Sequence, residues 1–184
     1  TAAFGMTMQS YTASEDGAIF STIYNGRNDS KLENSVTMLV KTFPVYFNPK
    51  NDSSIVSVIH DIQTYLLSAM SHDIYSFAEI KNEYDINGDV LFAYQGDGED
   101  VTTLGGYEAT FTDFDLSYAK APIGFDVSLD GDKVMYEVEY DPSMYSKFTM
   151  QGIANLFDVV SQEFMSKDKI SDISLVSDTD IEAI

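Results

Sequence analysis

Few residues in this chain are equipped to do chemistry. There are two histidines, His60 and His72, and no cysteine. Disulfides, thiolate nucleophiles and zinc–thiolate sites are therefore excluded. No H-E-x-x-H or other His-rich metal spacing occurs, and no G-x-S-x-G elbow marks a serine nucleophile. His60 falls within an apolar-periodic stretch and reads as a helix-face residue. His72 follows the end of that stretch, where an imidazole suits the helix dipole. Carboxylates number 30, so close pairs arise by chance and no pair argues for acid–base catalysis. Asp85-x-Asn87-x-Asp89 begins like a calcium loop, but its glycine is Gly88 and position 12 is Gly96, where a bidentate Glu is required. Basic residues are scarce, at 10. Arg27 sits in an Asn25-Gly26-Arg27-Asn28 turn, either exposed or pairing with a carboxylate or backbone carbonyl across the fold.

The elements that must position these residues are legible from periodicity. Phe4, Met8 and Tyr11 put one apolar face on a helix over Ala2 to Tyr11. Ala18 to Tyr24 is a strand rich in β-branched and aromatic residues. Val36 to Phe47 is a second extended run, which Pro44 kinks or confines to a sheet edge. Ile55, Ile59, Ile62, Leu66 and Met70 recur at helical spacing within Asn51 to Ser71, with Asp52 or Ser53 as N-cap. A shorter helix covers Phe77 to Tyr84, and a strand covers Asp89 to Gln95. Gly96 to Gly106 reads as a mobile loop. Alternating patterns then mark strands at Tyr107–Thr112, Ile123–Leu129 and Val134–Tyr140, the last two joined by an Asp130-Gly131-Asp132 hairpin turn. A helix from about Thr149 carries Ile153, Leu156, Phe157, Val160 and Phe164. A polar tail with Ile170, Ile173 and Leu175 follows.

The expected fold class is α+β, a two-layer α/β sandwich. Its sheet is mixed and largely antiparallel, with helices on one face. The 184 residues are read as a single domain whose start is truncated within a larger protein. A formal charge of −20 disfavours nucleic acid and anionic membrane as partners. No apolar run reaches the ~20 residues a membrane helix needs. The expected location is the cytoplasm.

An ordered series of segments resembles the carboxyl-terminal half of the condensation domain of non-ribosomal peptide synthetases. Phe20 to Arg27, FSTIYNGR, is similar to the family's strand and Gly-Arg turn. Val36 to Pro44, VTMLVKTFP, resembles its "v-G-x-F-v-N-T-x-P" motif. His72 to Phe77, HDIYSF, resembles "H-Q-x-Y-P-F", and Leu91 to Gln95, LFAYQ, resembles "v-l-F-x-Y-Q". Thr37 stands where the family prefers Gly, Lys41 where it prefers Asn, and Ser76 where it prefers Pro. The family's His-His-x-x-x-Asp-Gly motif, with the histidine implicated in amide formation, lies in its amino-terminal half. This sequence contains no His-His pair.

The resemblance implies the second lobe of a chloramphenicol acetyltransferase-like fold, two lobes forming a V around a tunnel. It implies no catalytic or metal-binding residue in this lobe, which is expected to be inactive alone. Arg27, Lys41 and Thr42 are expected to shape the tunnel. The lobe itself would bind no cofactor, phosphopantetheine being carried by peptidyl carrier proteins. Implied partners are those carriers, the amino-terminal lobe and an adjacent adenylation domain. Other readings are a docking platform for carriers or a tailoring enzyme, a lobe of an epimerisation domain, and a standalone acyltransferase.

Overall fold

The computed structural model describes residues 1–27, 29–97, 102–109 and 119–176. Helix α1 spans Ala2–Tyr11, and strand β1 spans Ala18–Tyr24. Strand β2 (Lys41–Phe47) is followed by helices α2 (Ile55–Ser71) and α3 (Phe77–Tyr84). Strands β3 (Val90–Asp97), β4 (Thr102–Leu104) and β5 (Tyr107–Ala109) come next. Strands β6 (Ile123–Asp130) and β7 (Lys133–Tyr140) precede helix α4 (Lys147–Ser166) and a 3₁₀ turn at Ile170–Asp172.

Five strands form the main sheet in the order β2-β1-β3-β6-β7. The outer pairs β1–β2 and β6–β7 are antiparallel along their whole length. The inner pairs β1–β3 and β3–β6 are parallel, the first through only Ser21↔Leu91 and Thr22↔Phe92. The sheet is thus mixed, with most of its paired residues antiparallel. Pro44 lies in β2, an edge strand, where a missing N–H can face away from the ladder.

One sheet face carries Phe20, Val45, Phe92 and Phe125, all buried, and the helices cover it. The alternate residues Ile19, Tyr46, Glu137 and Glu139 are exposed. At the centre lies Phe4 of α1, its ring 4.7 Å from Phe92, 5.0 Å from Phe125, 5.1 Å from Phe20 and 6.2 Å from Phe157. One aromatic side chain therefore ties α1 to β1, β3, β6 and α4. Gly5 permits that approach. A Cβ there would sit 2.5 Å from the Phe47 ring.

Several boundaries differ from the sequence expectation, each for a tertiary reason. The second run becomes a strand only from Lys41, because Tyr24, the last β1 residue, pairs with Lys41. No β1 backbone remains to receive 36–40. Helix α2 is capped by Ser54 rather than Asp52 or Ser53, with Ser54 Oγ accepting from the Ser57 N–H at 3.1 Å. Residues 51–54 are tied by backbone hydrogen bonds to 168–171, with Ser54 extended and bridged to Lys169. Ile55 N–H donates to Asp168 O, Ile170 N–H to Ser53 O and Ser171 N–H to Asn51 O. That pairing delays the helix. On α2, Val58 is buried while Ile59, expected on the apolar stripe, is exposed. Strand β3 runs from Val90 to Asp97, and α4 starts at Lys147. Part of the expected 96–106 loop is strand, with β4 paired to β5. The expected strand at 107–112 is seen as Tyr107–Ala109, the rest of it lying outside the described residues. Among the described residues no helix is long and apolar enough to cross a membrane.

Helix α3 is closed by a reciprocal capping box. The Ser76 Oγ accepts from the Glu79 N–H, and the Glu79 carboxylate accepts from the Ser76 N–H at 2.8 Å. The backbone N–H, then the hydroxyl, of Ser76 hold the Glu79 carboxyl below its usual 4.5. A lowered folded pKa gives stability that is present above the unfolded value and lost as pH falls through the folded one. NMR shifts of α3 are therefore expected to report fraying as pH drops below 4.5. Glu79→Gln, which keeps the cap without titrating, should abolish that dependence. A wild-type helix whose shifts stay constant through this range would refute the assignment.

Candidate functional site

The turn after β1 is organised around the Arg27 guanidinium. Asn25 Oδ1 first accepts from the Arg27 N–H at 3.0 Å, closing an Asx turn. Gly26 adopts φ +67, placing its Cα against Leu39. The guanidinium then donates to three carbonyls: Asn25 at 3.2 Å, Ser35 at 3.2 Å and Thr37 at 3.1 Å. A rigid fork of donors suits such a cluster, where a lysine offers only a point charge. Of the two sequence readings, pairing with backbone carbonyls is the one the geometry supports. By taking the Ser35 and Thr37 carbonyls, Arg27 gives the 35–40 segment partners outside the sheet.

This segment leads into β2 with Val36, Met38 and Val40 exposed. Lys41 follows, opposite Tyr24 in the antiparallel register. Both side chains reach Asp73, just beyond the α2 C-cap. Tyr24 Oη donates to Asp73 Oδ2 at 2.8 Å, and Lys41 Nζ donates to the Asp73 carbonyl at 2.7 Å. Lys41 Nζ also lies 3.6 Å from Asp73 Oδ2. The Tyr24 ring stacks on Phe43 at 5.4 Å. Burial chiefly, then the Asp73 hydrogen bond and charge, raise the Tyr24 phenol above its usual 10.0. Thr42 lines a cavity of about 310 Å³ with Val40, Lys41, Ile74, Tyr75 and Phe77.

The structure thus brings Lys41 and Thr42 to one cavity and puts Arg27 behind the segment that enters it. Sequence reasoning missed Tyr24 and Asp73. No local signal marked them, since the register that places Tyr24 opposite Lys41 arises only when β1 and β2 pair. Of the three departures noted in the sequence, two have structural roles here. Ser76 supplies the α3 cap, and Lys41 reaches a carbonyl some thirty residues away in sequence.

The histidines form no catalytic constellation. His60 is exposed on α2. His72 is the α2 C-cap, with Nδ1 2.8 Å from the Ser68 carbonyl and 2.9 Å from Ser71 Oγ. A carbonyl only accepts, so Nδ1 carries the proton and cannot act as a base toward Ser71. Ser71 Oγ itself donates to the Ser68 carbonyl at 2.7 Å. The pair closes a helix end; it is no serine–histidine dyad. Asp85 is the left-handed C-cap of α3, and the Asp89 carbonyl accepts from the Ile123 N–H, so the calcium-like stretch is spent on the fold. Among the described residues no group of three or more His, Asp or Glu side chains is placed to hold a metal.

Comparison with known proteins gives this geometry its context. The family model described as condensation domain matches residues 1–184. Gramicidin S synthase 2 of Brevibacillus brevis is 26% identical over 191 residues, covering 96% of this chain and 4% of the synthase. In fold, the chain is similar to the starter condensation domain of rhizomide synthetase, with a TM-score of 0.72 at 14% identity. That match covers 96% of this chain and 43% of the other. A four-domain non-ribosomal peptide synthetase bound to AMP and glycine matches with a TM-score of 0.76 at 12% identity, over 96% of this chain and 15% of the synthetase. The chain therefore spans less than half the length of these relatives.

Proposed function

The chain belongs to the condensation-domain family, and from that premise we propose that it is the carboxyl-terminal lobe of a domain that forms amide bonds between carrier-bound thioesters. The observation that carries the reading is coverage. Nearly all of this chain matches 43% of a condensation domain, the share expected of one lobe. The ordered motifs from FSTIYNGR to LFAYQ resemble motifs of the family's second half.

In the reaction, the amine nitrogen of one carrier-bound aminoacyl group attacks the thioester carbonyl of another. A C–N bond forms, the C–S bond breaks, and the amine gives up a proton as the departing sulfur gains one. The phosphopantetheine arms belong to the carrier proteins and arrive with the substrates. This lobe provides a wall, and holding two reactants in register supplies much of such a rate enhancement. Arg27, Lys41 and Thr42 shape that wall. Proton handling is assigned to the amino-terminal lobe, where the family's His-His-x-x-x-Asp-Gly motif lies. Carrier proteins and an adenylation domain complete the assembly.

The test uses the protein that carries this chain, supplied with loaded donor and acceptor carriers, and follows amide product by mass spectrometry. Product from that protein and none from residues 1–184 alone is the expected result. Turnover by residues 1–184 alone would refute the lobe assignment. The departures at Thr37, Lys41 and Ser76 favour one second reading, a docking platform without chemistry. Carrier binding without product by the whole protein would select it.

A further inference from the structure

Asp73 receives more than a helix-to-helix connection requires. Its carbonyl accepts from Lys41 Nζ at 2.7 Å, and its carboxylate takes the Tyr24 hydroxyl at 2.8 Å with the same ammonium at 3.6 Å. Two elements distant in sequence, β1 and β2, thereby grip the link between α2 and α3. The next two residues have no core anchor of their own. Ile74 is 89% exposed and Tyr75 63% exposed. Their placement follows from the backbone at Asp73. They form one side of the 310 Å³ cavity whose other side is Val40 and Thr42.

Among the described residues, the basic side chains that donate to main-chain carbonyls are Arg27 and Lys41. Arg27 fixes the segment on one side of this cavity, and Lys41 fixes the link on the other. A partly exposed lysine–aspartate pair adds little to stability. Its geometric effect is larger, because it sets a distance between two backbones.

We propose that Lys41 and Tyr24 are positioning residues that clamp the α2–α3 link through Asp73 and so set the width of the cavity between Val40–Thr42 and Ile74–Phe77. On the reading that this lobe walls the amide-forming tunnel, the clamp governs turnover more than carrier affinity. A wall displaced by about 1 Å can cost up to a hundredfold in rate.

The test compares Lys41→Met, Tyr24→Phe and Lys41→Arg in the protein that carries this chain. Tyr24→Phe keeps the stacking on Phe43 and removes only the hydroxyl. Two readouts are taken, amide hydrogen exchange at residues 73–75 and kcat against KM for amide formation. Lys41→Met is expected to speed exchange there and to lower kcat about tenfold, KM staying within about twofold. Tyr24→Phe should act in the same direction, and Lys41→Arg should restore both readouts. The melting temperature should fall by no more than about 4 °C. Unchanged exchange in both Lys41→Met and Tyr24→Phe overturns the clamp. Faster exchange with unchanged kcat overturns its role in turnover. If the unsubstituted protein forms no amide, the functional reading has failed, and exchange at 73–75 decides the clamp on its own.

Discussion

Phe4→Ala is expected to destabilise the chain by about 3–5 kcal/mol, measured as a shift in urea-unfolding midpoint at constant slope. The reason is the position of the ring. Phe4 is fully buried and lies within 6.2 Å, centroid to centroid, of four other phenylalanines from four different elements. Removing it forfeits the transfer energy of the ring and the aromatic contacts. It also leaves a cavity that α1 cannot collapse into, because Gly5 already stands against Phe47. Domains of this size are stable by about 5–15 kcal/mol, so the variant gives up a large share of the total. Phe4→Leu keeps much of the volume and is expected to lose substantially less. A loss below about 1 kcal/mol for Phe4→Ala would mean that the aromatic centre is not the core's keystone.

Gly26→Ala is expected to open the segment between Ser35 and Lys41. Its φ of +67 strains any residue with a Cβ by about 1–2 kcal/mol. The added methyl would also overlap the Leu39 carbonyl oxygen outright. Leu39 cannot simply move aside. Arg27 holds Thr37 on one side of it, and the Tyr24–Lys41 pairing fixes β2 on the other. Gly131 provides the control, having φ +58 with nothing within 4 Å of a Cβ. Gly131→Ala should therefore show the backbone strain alone. Limited proteolysis is expected to cut Gly26→Ala between 35 and 40 at least tenfold faster than Gly131→Ala, with amide formation in the whole protein falling correspondingly. Equal cleavage of the two variants would show that the Gly26–Leu39 contact does not hold the segment.

Both predictions involve residues whose importance is unevenly written in the sequence. Phe4 is legible as one member of an apolar helical face, but nothing local says that four rings converge on it. Gly26 is legible as a turn glycine, whereas its contact with Leu39 spans a segment that periodicity reads as strand. Arg27 could be singled out because cations are rare here, and its acceptors could not.

The local rules hold where an element's own periodicity sets its limits. Helices α1 and α3 and strand β1 have the expected ends. In β6, Ile123, Phe125 and Val127 point into the core as their alternation requires. They fail where a distant segment competes for the same backbone. Residues 168–171 bind the backbone of 51–54 and move the α2 cap to Ser54, and Arg27 draws the Ser35 and Thr37 carbonyls away from a ladder. The sequence by itself determined the layer type, most elements and, by resemblance, the family. Only the tertiary structure decided the strand order that places β3 between β1 and β6, and the meeting of Tyr24, Lys41 and Asp73. Strand order and register depend on pairings between residues tens of positions apart, and no window of local sequence contains both partners.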